Sequence, residues 1–132
     1  MSKEIPAKFQ DLFQKKAFCQ LATINRDGTP QVTPVWCEYD GTNVIFNSAK
    51  GRIKDKNVRR NPHVALSIQD PDNPYRYLGL SGEVVEISET GADDHIDRLS
   101  KKYLGQDKYP YRSATEVRVI YKVRPDNVWT NG

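Results

Sequence analysis

The sequence predicts a mainly β fold, an antiparallel sheet closed or nearly closed into a small barrel, with short helices packed outside. Three observations predict it. Apolar and β-branched runs recur along the chain and are joined mostly by short Asp-Gly or Pro-containing turns. A strict alternation near the carboxy terminus marks a half-exposed strand, and the regular βα order of a doubly wound parallel sheet is missing. Six or seven strands and about three short helices account for the 132 residues, read as one domain spanning residues 1–132.

Element by element, Phe9, Leu12 and Phe13 fall at i, i+3 and i+4 behind Pro6, which suits a first helical turn. A short helix over Ala7–Lys16 follows. Phe18 to Ile24 and Gln31 to Tyr39 flank Arg26-Asp27-Gly28-Thr29, a strong hairpin signal, and Asp40-Gly41 leads into a third run, Val44 to Ser48. These three strands are expected to form an antiparallel meander. Lys50 to Arg60 carries six cations and one anion and no strand alternation; Asn61-Pro62 ends it, which predicts a helical turn. Strands resume at Val64–Ile68 and, beyond Pro71-Asp72-Asn73-Pro74, at Tyr77–Ile87. Within the latter run Gly79 and Gly82 suggest bending or close backbone approach. Ile96, Leu99, Tyr103 and Leu104 define an amphipathic helix ended by Gly105. Val117, Val119, Tyr121 and Val123 alternate with polar residues, and Pro125-Asp126 is expected to turn the chain into a last strand around Val128 and Trp129.

Composition narrows the function. The net charge of +3 is too small to mark a nucleic-acid binder, and the main basic run has no interleaved aromatics. A basic RNA-binding barrel would bind oligonucleotides with steep salt dependence, and the expectation is that nucleic acid is not a partner. No run approaches the ~20 apolar residues of a membrane span, and Met1-Ser2-Lys3-Glu4 leads into an amphipathic stretch, so a cytoplasmic protein without membrane contact is expected. The mean hydropathy of −0.73, beside two Trp, seven Tyr and four Phe, suggests a small wet domain completed by a partner or ligand.

Obvious catalytic groups are missing. Cys19 and Cys37 have no CxxC spacing, lie far from His63 and His95, and sit in predicted strands, where they read as free, small hydrophobes. No metal site is expected. His95 falls in the acidic stretch Asp93-Asp94-His95-Ile96-Asp97 and reads as part of a solvated helix face. There is no GxSxG, HExxH, Walker A or GxGxxG pattern, so no catalytic residue is assigned. An enzyme of this kind borrows its reactivity from an organic cofactor. The informative segment is Asn47–Arg60: Ser48, Lys50, Arg52 and Lys54 join the end of a strand to a helical turn. Free backbone N–H groups, a hydroxyl and cations there are the ingredients of a phosphate site. A solvated basic face is the competing reading.

Leu21-Ala22-Thr23-Ile24, Asp27-Gly28-Thr29-Pro30, Thr33-Pro34-Val35-Trp36, Asp40-Gly41, Lys54-x-x-Asn57 and Arg60-Asn61-Pro62 occur in an order that resembles the pyridoxamine 5′-phosphate oxidase-like flavin-binding split barrels. It looks closest to their small single-domain branch, many of whose members use the deazaflavin coenzyme F420. The resemblance runs from about Phe9 to Trp129 and lacks the carboxy-terminal extension that carries pyridoxine-phosphate recognition in the true oxidases. It implies a split β-barrel and a homodimer with two cofactor sites at its interface. It also implies an oxidoreductase that binds FMN or F420 and passes hydride to or from a small conjugated substrate. Carried over residue by residue, Arg52 and Lys54 hold the cofactor phosphate, with Ser48, Lys50 and Asn57 as further candidates. Thr33, Pro34, Val35 and Trp36 run beside the ring, while Trp129 and Tyr109-Pro110-Tyr111 approach the ring or substrate from the partner chain or pack at the interface. A non-catalytic flavin- or tetrapyrrole-binding storage or sensor module is the alternative.

Overall fold

The structure, a computed structural model, describes residues 2–132. A 3-10 helix, Ala7–Phe13, precedes β1 (Cys19–Ile24), β2 (Pro30–Val35), β3 (Cys37–Tyr39) and β4 (Val44–Ala49). Then follow α1 (Ile53–Arg60), β5 (His63–Asp70), β6 (Asn73–Ser88), α2 (Ala92–Leu104) and β7 (Arg118–Asn131). The strands form one antiparallel sheet in the order β2-β1-β5-β6-β7-β4-β3.

The expected three-strand meander is corrected by that order. The Asp27-Gly28 hairpin forms, with Gly28 at φ 88°, and pairs β1 with β2. The run Gln31–Tyr39 then breaks at Trp36. Its first part stays beside β1, while Cys37–Tyr39 joins β4 at the opposite edge of the sheet. Pro30 and Pro34 cannot donate ladder hydrogen bonds, which suits β2 to an edge. Because β2 and β3 are adjacent in the chain yet end the sheet on opposite sides, the sheet must curl until its edges approach. The result is the split β-barrel.

Its interior takes the inward side chains of every strand, and the 3-10 helix contributes Phe9, Leu12 and Phe13 to the same core. Phe46 and Tyr121 stack at its centre, ring centroids 4.6 Å apart. The crossing at Trp36 also brings Cys19 and Cys37 together. They form a disulfide, with Cα atoms 6.4 Å apart, which corrects the reading of two free cysteines. Cys19 and Cys37 are 18 residues apart in sequence, and curling the barrel puts the first residues of β1 and β3 in one buried layer.

β6 and β7 bend together. A Cβ on Gly82 would lie 1.9 Å from the Arg124 carbonyl oxygen, and one on Gly79 would meet the Trp129 indole at 2.0 Å, so both approaches require glycine. Pro125-Asp126 does not turn the chain. β7 runs on as one strand, with Asp126 an extra residue between the pairs Gly82–Pro125 and Ser81–Asn127. The bulge accommodates a proline that has no N–H to give. No helix among the described residues is long and apolar enough to cross a membrane.

Candidate functional site

The site begins with the way α1 is fastened. Gly51, at φ 91°, turns the chain out of β4. Asp55 then reaches back: its Oδ2 accepts the Gly51 N–H at 2.9 Å, and its Oδ1 accepts the Tyr121 hydroxyl at 2.6 Å and Arg59 Nε at 2.9 Å. Burial opposes ionisation of Asp55, but those three donors hold its carboxyl below the ordinary range. Burial, followed by Asp55, pushes the Tyr121 hydroxyl upward. On the next turn Asn57 Nδ2 donates to Thr23 Oγ1 and to Asn25 Oδ1, both at 3.0 Å. The helix is thereby bolted to the barrel through its core tyrosine and through β1.

This arrangement leaves a pocket of about 180 Å³ between the start of α1, the β2–β3 crossing and the loop after α2. Pro34, Val35, Trp36, Ser48, Arg52 and Lys54 all line it, so six of the residues singled out in the sequence converge on one place. Thr33, Lys50 and Asn57 do not line it. Thr33 lies farther along β2 opposite Leu21, Lys50 reaches Glu89 at 3.3 Å, and Asn57 is spent on fastening α1. Trp36 is half-buried, stacked on Tyr103 at 5.2 Å and edge-on to Tyr109 at 5.9 Å. Tyr109 and Tyr111 complete this aromatic wall from the same chain. Trp129 lies over Gly79, away from the pocket.

The pocket's electrostatics favour an anion. Ser48 is 1% exposed, and its Oγ has no hydrogen-bond partner among the described residues. Lys54 has its ammonium held below the ordinary lysine range, first by burial and then by the nearby charges of Arg52 and Arg118. Arg118 is 6% exposed; its Nε donates to Asn47 Oδ1 at 2.9 Å and its Nη1 to Glu116 Oε1 at 2.6 Å. Glu116 also takes Arg52 Nη2, at 2.8 Å. One carboxylate therefore serves two guanidinium groups, with a lysine beside them. A buried hydroxyl without a partner among the described residues, two guanidinium groups sharing one acid and a lysine beside them fit a phosphate group. Among the described residues, no carboxylate or imidazole lines the pocket. Phe18 also borders a larger hollow of about 510 Å³, where Gln20, Ser67, Gln69 and Tyr77 present polar groups.

Sequence reasoning missed Asn47 as a partner, and it missed Arg118 and His95. His95 is corrected from a solvated helix residue to one of the most buried side chains, 1% exposed. Its Nδ1 faces Asn47 Nδ2 at 3.0 Å, and its Nε2 lies 3.1 Å from Glu38 Oε1. Burial opposes the charge on Glu38, yet His95 and Arg98 hold its carboxyl at about 2. Among the described residues no group of three or more metal-ligating side chains is gathered.

Comparison with known proteins agrees with this fold. The pyridoxamine 5′-phosphate oxidase family profile matches residues 5–132. Among solved structures, an F420 reductase superposes with a TM-score of 0.84 at 34% identity, covering 95% of this chain and 98% of that one. The conserved hypothetical protein Rv2991 of Mycobacterium tuberculosis gives 0.74 at 22% identity, over 98% and 86% of the two chains. HupZ of Group A Streptococcus gives 0.67 at 18% identity, over 96% and 93%. The last two share the fold. With a profile match over nearly its whole length, the chain belongs to the pyridoxamine 5′-phosphate oxidase family.

Proposed function

We propose that this protein is a small oxidoreductase that binds FMN or F420 at a homodimer interface and serves hydride transfer between that cofactor and a small conjugated substrate. The observation that carries the reading is the anion pocket: Ser48 Oγ without a partner beside Lys54, Arg52 and the buried Arg118. Family membership and the likeness to an F420 reductase support a flavin-type cofactor. When bound, the cofactor supplies the hydride chemistry. The chain's own part is to fix the phosphate with Ser48, Lys54, Arg52 and Arg118 and to offer Trp36, Tyr109 and Tyr111 as an apolar wall.

Size supports the dimer. Ligand pockets usually measure roughly 300–1,000 Å³, so a cavity of about 180 Å³ takes the phosphate and leaves a tricyclic ring outside. Such a ring needs a second wall. Phe18, Val32 and Trp129, exposed by 51%, 60% and 47%, offer a second chain apolar area to cover. The storage or sensor alternative draws on the lack of a carboxylate or imidazole in the pocket, and it differs by a single result: binding without turnover of reduced cofactor against an artificial acceptor.

The test is a cofactor titration of single variants by fluorescence. Lys54→Ala and Arg52→Ala each remove a charge-assisted bond of roughly 1.5–3 kcal/mol, which weakens binding about ten- to a hundredfold. Lys56→Ala and Arg26→Ala are the controls. They border a separate cleft on another side of α1, whereas Arg59 is committed to the buried Asp55 and is unsuitable. Equal small losses in all four variants return the segment to a solvated basic face.

A further inference from the structure

Arg118 is held by a chain of buried groups that reaches back to α2. Arg118 Nε only donates, so the Asn47 atom it meets at 2.9 Å is the amide oxygen. The Ala92 carbonyl only accepts, so the Asn47 atom it meets at 2.9 Å is the amide nitrogen. Those two neighbours leave Asn47 one orientation. Its second N–H then points at His95 Nδ1, 3.0 Å away, and that ring nitrogen must accept. In the neutral ring the proton therefore sits on Nε2, on the side of Glu38. The sequence His95, Asn47, Arg118 joins α2, β4 and β7 and ends at the anion pocket; at its other end His95 Nε2 lies 3.1 Å from Glu38 Oε1 on β3 without forming a hydrogen bond. There, among the described residues, Arg118 Nη2 makes no hydrogen bond, and the guanidinium lies over the Tyr109 ring, 5.2 Å from its centroid.

We propose that His95 and Asn47 are positioning residues that aim Arg118 into the anion pocket, and that a proton on His95 Nδ1 releases that aim and weakens anion binding. The proposal rests on the anion pocket of the preceding section. A proton taken from water by Nδ1 turns the acceptor into a donor facing another donor. Asn47 has no satisfactory reply. Turning its amide by half a revolution sets N–H against Arg118 Nε and oxygen against the Ala92 carbonyl, exchanging one bad contact for two. The other charged groups around the ring do not remove this conflict. Glu38 faces Nε2 from β3, and Arg98 on α2 pairs with the same carboxylate at 2.9 Å. Lys102, also on α2, interacts with Glu38, while Glu116 lies beyond Asn47 on the far side of Arg118. All of them act at the Nε2 end of the ring or past the amide.

The experiment has a ligand arm and a ligand-free arm. FMN is titrated into the wild type and into His95→Gln between about pH 8 and about pH 5.5. The Gln side chain offers an amide oxygen to Asn47 and does not titrate. Because the phosphate of FMN itself gains a proton near pH 6, the readout is the difference between the two proteins. The wild type loses about five- to tenfold more affinity than His95→Gln on acidification, the worth of one weakened charge-assisted bond. Parallel pH profiles overturn the proposal. Independently, ¹⁵N spectra of the wild type without cofactor report the ring nitrogens and the Arg118 Nε–H during a titration with inorganic phosphate. The expected result is Nδ1 unprotonated and Nε2 protonated at about pH 8, with the Nε–H signal shifting as phosphate is added. A proton on Nδ1 there overturns the proposal even if His95→Gln does not fold. If FMN and F420 fail to bind at every pH, the oxidoreductase reading fails, and the ¹⁵N arm still decides the role of His95.

Discussion

Asp55→Ala lowers the stability of the fold by about 2–4 kcal/mol, the cost of leaving the buried Tyr121 hydroxyl and the Gly51 N–H without their acceptor, while Arg59, 42% exposed, turns to water. Asp55 is 2% exposed and receives Gly51 N–H, the Tyr121 hydroxyl and Arg59 Nε. Without it the buried Tyr121 hydroxyl loses its acceptor and the turn into α1 its anchor. Urea unfolding measures the loss, and adding Tyr121→Phe recovers part of it because the orphaned hydroxyl is gone. The pH dependence has a definite sign. The Asp55 carboxyl lies below its unfolded value in the native state, so its contribution is present above the unfolded carboxylate range of about 4 and fades as pH falls. Asp55→Asn removes that part of the acid sensitivity. A loss below about 1 kcal/mol in Asp55→Ala would show that α1 is held mainly by other contacts.

Arg118→Met weakens FMN or F420 binding by about a hundredfold or more, a larger effect than at Lys54 or Arg52. The reason is burial. Arg52 has a side chain 46% exposed and spends part of its field in water, whereas Arg118 is 6% exposed and acts where the dielectric is low. The methionine chain preserves most of the packing under Tyr109, so circular dichroism of the variant should match the wild type. Retention of affinity within threefold would remove Arg118 from the site.

How much of this was legible in the sequence depends on how far apart the partners lie. The Asp27-Gly28 hairpin and α1 are local patterns, and both occur where the sequence puts them; Ser48, Arg52 and Lys54, equally local, line one pocket, while Lys50 turns away to Glu89. Arg118 and Asn47 are separated by 71 residues and meet only because β7 pairs with β4, with Arg118 opposite Ala49 and Ile120 opposite Asn47. Neither residue carries a local signal of that meeting. The break at Trp36 was hidden for a related reason. Gln31–Tyr39 reads as one strand, and only closure of the barrel makes its halves part company. His95 is different, because a signal existed: Ala92, His95, Ile96, Leu99 and Tyr103 share one helical face, all buried, while the acidic neighbours drew attention to the other face. The helical period was the better guide than the local charge.

The central claim is that this protein holds its cofactor by the phosphate. The direct measurement is the affinity of the wild type for FMN against riboflavin, which differ only in that group; F420 against its phosphate-free deazaflavin core, which also lacks the rest of the anionic tail, is the second pair. A pocket in which Ser48 Oγ, Lys54, Arg52 and Arg118 converge predicts at least about a hundredfold preference for the phosphorylated member of whichever pair binds, close to 2.7 kcal/mol. Equal affinity for the two members of that pair would contradict it.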